Sequence, residues 1–151
     1  MIVIAHSIRS IYNVGAIFRV CDGLGVEKLF LVGYIATPKT QEKKLAKTAL
    51  GSEQAVPWEY RREIGLLIAR LKSDGYEIVG LEEKQGLSID YRDWQPSAKV
   101  AIILGNEVRG ISTPTLRKCD KVVKLAMRGK KNSLNVATAL AGIGYYLLAR
   151  E

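Results

Sequence analysis

Five short apolar runs with little polar alternation constrain this chain most: Ile2–Ala5, Lys28–Val32, Glu77–Leu81, Val100–Leu104 and Val122–Leu125. A strand with one wetted face alternates apolar and polar residues. Runs of Val, Ile and Leu that do not alternate are covered on both faces. Helical patterns lie between them, at Val14–Leu24, Gln41–Lys47, Arg61–Ser73, Thr113–Lys118 and Leu134–Arg150. Gly25 and Gly75 follow two of these where a left-handed C-terminal cap is expected. This β-α-β-α order predicts an α/β fold, a mostly parallel sheet with helices on both faces. The 151 residues suit one domain, 1–151, without internal repeat or linker.

Parallel sheets bind ligands at the carboxyl ends of their strands. That directs attention to the segments after Ala5, Leu81, Leu104 and Leu125, which carry unusual clusters of Asn, Ser and Arg. The usual fingerprints are missing. Gly23-Leu24-Gly25 comes closest to a dinucleotide loop, but Lys28 stands where the third glycine belongs, and the segment ends a helix rather than opening one. There is no P-loop, zincin pattern or nucleophile elbow, and His6 is the only histidine. A lone histidine after a strand is read as structural. Cys21 and Cys119 form no CxxC, so neither a metal site nor a redox pair is indicated.

Charge narrows the partner. Lys plus Arg is 23 against 15 for Asp plus Glu, a net charge of +8. Such a field attracts polyanions: nucleic acid first, anionic membrane second. Seven cations lie between Arg117 and Lys131 (Arg117, Lys118, Lys121, Lys124, Arg128, Lys130, Lys131), against the single acid Asp120. A second set, Lys39, Lys43, Lys44 and Lys47, reads as a solvated face. The apolar stretch Leu134–Ala149 is interrupted by Asn135 and Thr138 and falls short of a membrane span; it reads as a buried or interface helix. The first residues show no basic n-region or cleavage signal, so a cytoplasmic protein is expected.

Three segments carry a resemblance. Asn13-Val14-Gly15-Ala16-Ile17-Phe18-Arg19, followed by Gly25, resembles the first motif of the SpoU (TrmH) family of RNA ribose 2′-O-methyltransferases. Leu104-Gly105-Asn106-Glu107-Val108-Arg109-Gly110 resembles the second, and Ser133-Leu134-Asn135-Val136-Ala137 the third. Lys47-Thr48-Ala49-Leu50-Gly51 is similar to a segment of short members. Three motifs in order, each at a strand–helix junction, are far more specific than one alone. The chain departs from the family at Leu125-Ala126-Met127, where a proline usually stiffens the loop.

The resemblance implies an α/β domain with a C-terminal trefoil knot, S-adenosylmethionine bound in the knot, and a homodimer. It implies a cofactor site at Leu81, Gly105, Gly110, Leu125, Met127, Ser133 and Leu134. It implies a catalytic set of Arg19, Asn13, Glu107, Ser133 and Asn135. Beside those roles, Asn13 and Ser133 are expected to cap the first and last helices, and Glu107 to anchor its loop. Arg9, Arg19, Arg109, Arg128, Lys130 and Lys131 are the expected RNA contacts, near the cofactor loop. The expected substrate is RNA, tRNA before ribosomal RNA, with no membrane and no metal. Two rivals remain: a non-catalytic RNA-binding factor, disfavoured by the intact Arg19, Glu107, Ser133 and Asn135, and an unrelated nucleotide-binding enzyme, disfavoured by the missing glycine fingerprint.

Overall fold

The computed structural model describes residues 1–150. The chain runs β1 (Ile2–His6), α1 (Ile11–Gly23), β2 (Lys28–Val32), α2 (Glu42–Ala49), α3 (Ser52–Ala55), β3 (Trp58–Arg61), α4 (Ile64–Ser73), β4 (Glu77–Leu81), β5 (Ile89–Asp90), β6 (Val100–Leu104), α5 (Thr113–Leu116), β7 (Lys121–Lys124) and α6 (Val136–Leu148). The strands form one seven-stranded sheet in the order β3-β2-β1-β6-β4-β7-β5. Every strand pairing among the described residues is parallel.

Both faces are covered, which is why the apolar runs do not alternate. One core joins β1, β2 and β6 to α1, α2 and α6 through Val14, Phe18, Leu45, Leu140 and Ile143. The other packs Leu67, Ile68 and Leu71 of α4 and Leu116 of α5 on the opposite face. β2, β4 and β6 have the boundaries expected from sequence. β3, β5 and α3 were not expected. β3 is a half-exposed edge strand after Pro57, and β5 is two residues long, so neither makes an apolar run. Gly25 and Gly75 have positive φ after α1 and α4, as expected of caps.

α1 and α2 meet through Gly15. A Cβ built there would collide with the Thr48 hydroxyl and stand 3.0 Å from the Ala49 nitrogen. The first motif and the Lys47–Gly51 segment are therefore joined by packing. Gly15→Ala is expected to lower stability by about 1–3 kcal/mol, the usual cost of overpacking, seen as a lower denaturation midpoint with unchanged slope.

The strand order turns back on itself at β1. β1, β2 and β3 proceed to one edge, and the chain then crosses to build the other half. The carboxyl ends of β1 and β6 meet at this switch, where open α/β sheets form their clefts. On the other half, β7 lies between β4 and β5, although residues 82–88 join those two strands directly. From β7 the chain returns to α6, beside α1. There the Tyr146 hydroxyl donates to the Trp94 carbonyl at 3.3 Å, and Tyr91 packs edge-on to Tyr146 at 5.0 Å. The end of α6 is thus fastened to the β5–β6 connection. No described helix is long and apolar enough to cross a membrane.

Candidate active site

The loop after β6 is shaped by its own polar side chains. Asn106 accepts hydrogen bonds from the backbone N–H groups of Val108 (3.0 Å) and Arg109 (2.9 Å), and its amide donates to the Ser7 carbonyl at 2.9 Å. The Gly110 N–H closes the turn on the Asn106 carbonyl at 2.8 Å, with φ of +66°. Gly105 leaves its space to backbone: a Cβ there would stand 2.5 Å from the Gly110 carbonyl carbon and 2.6 Å from the Ile111 nitrogen. From β4, Glu82 accepts the Ile111 N–H at 2.8 Å and so holds the far end of the turn.

Polar side chains of the three motif segments form one connected chain. Glu107 accepts the N–H groups of Arg9 (2.9 Å) and Ser10 (3.0 Å) and the side-chain amide of Asn13 (2.8 Å). The Asn13 side-chain oxygen accepts from the Asn135 amide at 2.9 Å. The Asn135 oxygen accepts the N–H groups of Ala137 (2.9 Å) and Thr138 (3.3 Å). Two expectations are corrected here. Ser10 caps α1, accepting the Asn13 N–H, which frees the Asn13 side chain to link loops. Asn135, not Ser133, caps α6, because the helix begins at Val136.

Partial burial raises the Glu107 pKa, but the Arg9, Asn13 and Ser10 donors outweigh it and hold the carboxyl below the usual glutamate range. It is an anchored carboxylate and a poor proton acceptor at neutral pH. A depressed carboxylate contributes stability that is present above its ordinary value near 4.5 and is lost as pH falls through its lower folded value. Glu107→Gln is expected to flatten that acid limb, measured as unfolding midpoint against pH in the acid range; an unchanged limb would remove the anchoring role.

These loops enclose an open cleft of about 990 Å³. All seven residues of the expected cofactor set line it: Leu81, Gly105, Gly110, Leu125, Met127, Ser133 and Leu134. Asn13, Glu107, Arg109 and Asn135 line it as well. Arg19 does not. It is exposed on α1, without a carboxylate within ion-pair distance among the described residues. Sequence reading left out Glu82, Glu83, Asn106 and Lys124, which also line the cleft. Glu82 and Glu83 follow a strand end already of interest, and Asn106 lies inside the second motif, so position alone would have found them. Lys124 is paired with Glu83 at 3.6 Å.

The basic stretch divides. Arg128, Lys130 and Lys131 are exposed on the β7–α6 connection that walls the cleft, and Arg9 is exposed beside it. Arg117, Lys118 and Lys121 lie before or at the start of β7, towards the amino ends of the strands, where Asp120 binds Lys72 at 2.6 Å. Of the cations in the segment only Lys124 lines the cleft; Arg128, Lys130 and Lys131 follow it on the connection whose Leu125 and Met127 do. Among the described residues no cluster of His, Cys, Asp and Glu suits a metal ion.

The model of the SpoU rRNA methylase family matches residues 1–145. A Staphylococcus haemolyticus protein named for the TrmH family of tRNA/rRNA methyltransferases is 32% identical over 144 residues, 95% of this chain and 56% of that protein. The chain spans little more than half the length of the curated relatives it matches. Among solved structures, the SpoU methyltransferase AviRb from Streptomyces viridochromogenes, in complex with AdoMet, is similar at a TM-score of 0.87 and 26% identity, covering 99% of this chain and 57% of that one. The TrmH/SpoU tRNA modifying enzyme of A. aeolicus gives 0.84 and 27%, covering 95% and 71%.

Proposed function

As the chain belongs to the SpoU rRNA methylase family, we propose that it is an S-adenosylmethionine-dependent RNA methyltransferase acting on a ribose 2′-hydroxyl. The observation that carries this reading is the hydrogen-bonded chain from Glu107 through Asn13 to Asn135, which draws all three motif segments to the wall of one cleft. tRNA is the favoured substrate, a choice supported by the similarity to a tRNA modifying enzyme. Ribosomal RNA is the second reading, after the family's own description. The protein works in the cytoplasm, where both RNAs are found.

The cleft fits the cofactor. Gly105 and Gly110 let the turn fold tightly on itself and on Glu82, which sets the backbone that lines the cleft. Leu81, Leu104, Leu125, Met127 and Leu134 offer apolar walls for an adenine. The Glu82 carboxylate, which has no ion-pair partner among the described residues, favours a ligand of positive charge. We read the placement of β7 between β4 and β5, with the end of α6 fastened to the Trp94 carbonyl, as part of the trefoil knot that the family resemblance implies.

Bound S-adenosylmethionine supplies an electrophilic methyl carbon on a sulfonium. The residues of the chain align the ribose oxygen with it, which is chiefly a positioning task. Asn13 and Asn135 hold the motif segments in register, and Ser133 lines the entry to α6. Arg109, Arg128, Lys130 and Lys131 receive the RNA phosphates around the cleft, and Arg9 receives them at its rim. Arg19 binds the ribose-phosphate and stabilises the alkoxide that develops as the 2′-hydroxyl proton leaves to solvent. Because Arg19 lies outside the cleft of its own chain, this role calls for a homodimer joined across the α1–α6 surface, where Tyr12 (69%) and Tyr145 (57%) are exposed. The test is incubation of purified protein with unmodified RNA and methyl-labelled S-adenosylmethionine, followed by nucleoside analysis. Label in a 2′-O-methylnucleoside is expected; label on a base would overturn the ribose assignment.

A further inference from the structure

A second cleft, of about 910 Å³, lies between the edge strand β3, from Trp58 to Tyr60, and the loop after β2, from Gly33 to Thr40. Trp58 and Tyr60 are two residues apart on β3 and so share one face of the strand. Tyr60 crosses the mouth, its hydroxyl donating to the Gly33 carbonyl at 3.1 Å. Tyr34 stands on the rim with 89% of its surface exposed. The remaining wall is a turn pinned from within: Thr37 is buried, its N–H donates to the Thr40 hydroxyl at 3.0 Å, and the Thr40 N–H donates back to the Thr37 carbonyl at 3.1 Å. Trp58 is half-buried against the core, whereas Tyr60 and above all Tyr34 leave ring surface in water that a flat occupant would cover.

We infer that this cleft is a stacking subsite for an unpaired base of the RNA strand, flanking the nucleotide to be methylated; the inference rests on the RNA methyltransferase reading above. Three observations select RNA as the occupant. First, charge: Lys39 lines the cleft, and Lys43, Lys44 and Lys47 follow on α2, none with a carboxylate in ion-pair distance among the described residues. The acid of the cleft, Glu59, is already engaged by Lys28 and Arg61. Second, chemistry: aromatic faces take any base by stacking while lysines follow the phosphates, the pairing used by single-strand binding surfaces. Third, placement: β6 ends in the first cleft and β2 at the second, and only β1 lies between them, ~10 Å at the usual strand spacing. The exposed Arg9, on the loop after β1, lies between them, so one strand of a few nucleotides can occupy both. The lysine set that reads as a mere solvated face in sequence thereby becomes a phosphate track.

The test is fluorescence anisotropy of a labelled single-stranded oligoadenylate across a salt titration, on wild type, Tyr34→Ala, Tyr34→Phe and Lys39→Ala. Uptake of S-adenosylmethionine by calorimetry is measured on the same preparations. Tyr34→Ala is expected to weaken RNA binding about tenfold with the salt slope unchanged, and Tyr34→Phe to retain affinity, because the ring does the stacking. Lys39→Ala is expected to weaken binding and to reduce the salt slope by about 1. All variants should take up the cofactor as wild type does. If wild type binds the RNA and both alanine variants bind it equally well, the subsite is overturned. A wild type that binds no oligoadenylate also overturns it. RNA binding with the expected effects but no uptake of S-adenosylmethionine would instead overturn the proposed function and leave the subsite standing.

Discussion

Arg19→Ala should lower methyl transfer by about 10²- to 10³-fold, the usual cost of removing a donor aimed at developing negative charge. Cofactor affinity should be unchanged, because Arg19 lines no part of the cleft in its own chain. The split between the two measurements decides what the residue does. A side chain on the exposed face of α1 contributes little to folding, so loss of activity without loss of stability means that Arg19 meets the substrate. Arg19→Lys keeps the charge but not the two-pronged donor, and an intermediate rate is expected. Full activity of the alanine variant on the true RNA would overturn the assignment. Mixing it with a cleft-defective variant gives a second measure: in a homodimer that shares residues between subunits, two inactive chains restore part of the rate, and failure to do so would separate Arg19 from the neighbouring site.

Gly105→Ala should act on the opposite step. The added methyl group meets the carbonyl carbon of Gly110 and the nitrogen of Ile111, which are backbone atoms and cannot swing aside. Relief requires the turn to move, and Glu82 restrains that movement through the Ile111 N–H. An overpacking cost of about 1–3 kcal/mol, placed on the cofactor loop, corresponds to a loss of S-adenosylmethionine affinity of roughly 5- to 150-fold by calorimetry. RNA affinity at low salt should change little, since phosphate contacts on other loops supply most of it. An alanine variant that binds the cofactor as wild type does would show that the ligand does not use this turn.

The central strands were legible in sequence because burial on both faces leaves an unbroken apolar signature. Val100–Leu104 carries it without interruption. Trp58–Arg61 lies at an edge and alternates charge with aromatics, so tertiary pairing rather than composition makes it a strand. Helix starts were less legible. Ser133 and Asn135 both qualify as caps, and the link to Asn13 decides between them. That link spans 122 residues and the Asn13–Glu107 link 94, so no local pattern could announce them. Arg19 was legible as a motif member, but its position outside the cleft was not, because that depends on how α1 lies across the sheet.

The Glu107–Asn13–Asn135 chain also orders events in time. Its last member lies near the start of α6, behind a strand that must enter between two already connected neighbours. Leu125, Met127, Ser133 and Leu134 arrive on that same final segment. A chain emerging from the ribosome therefore carries β1 to β3, the lysines of α2 and the aromatic cleft well before it carries the residues that complete the first cleft. On the proposed function, the stacking surface precedes the cofactor site, and Arg128, Lys130 and Lys131 arrive together with the latter. Only the last segment, with β7 placed between β4 and β5, completes the first cleft.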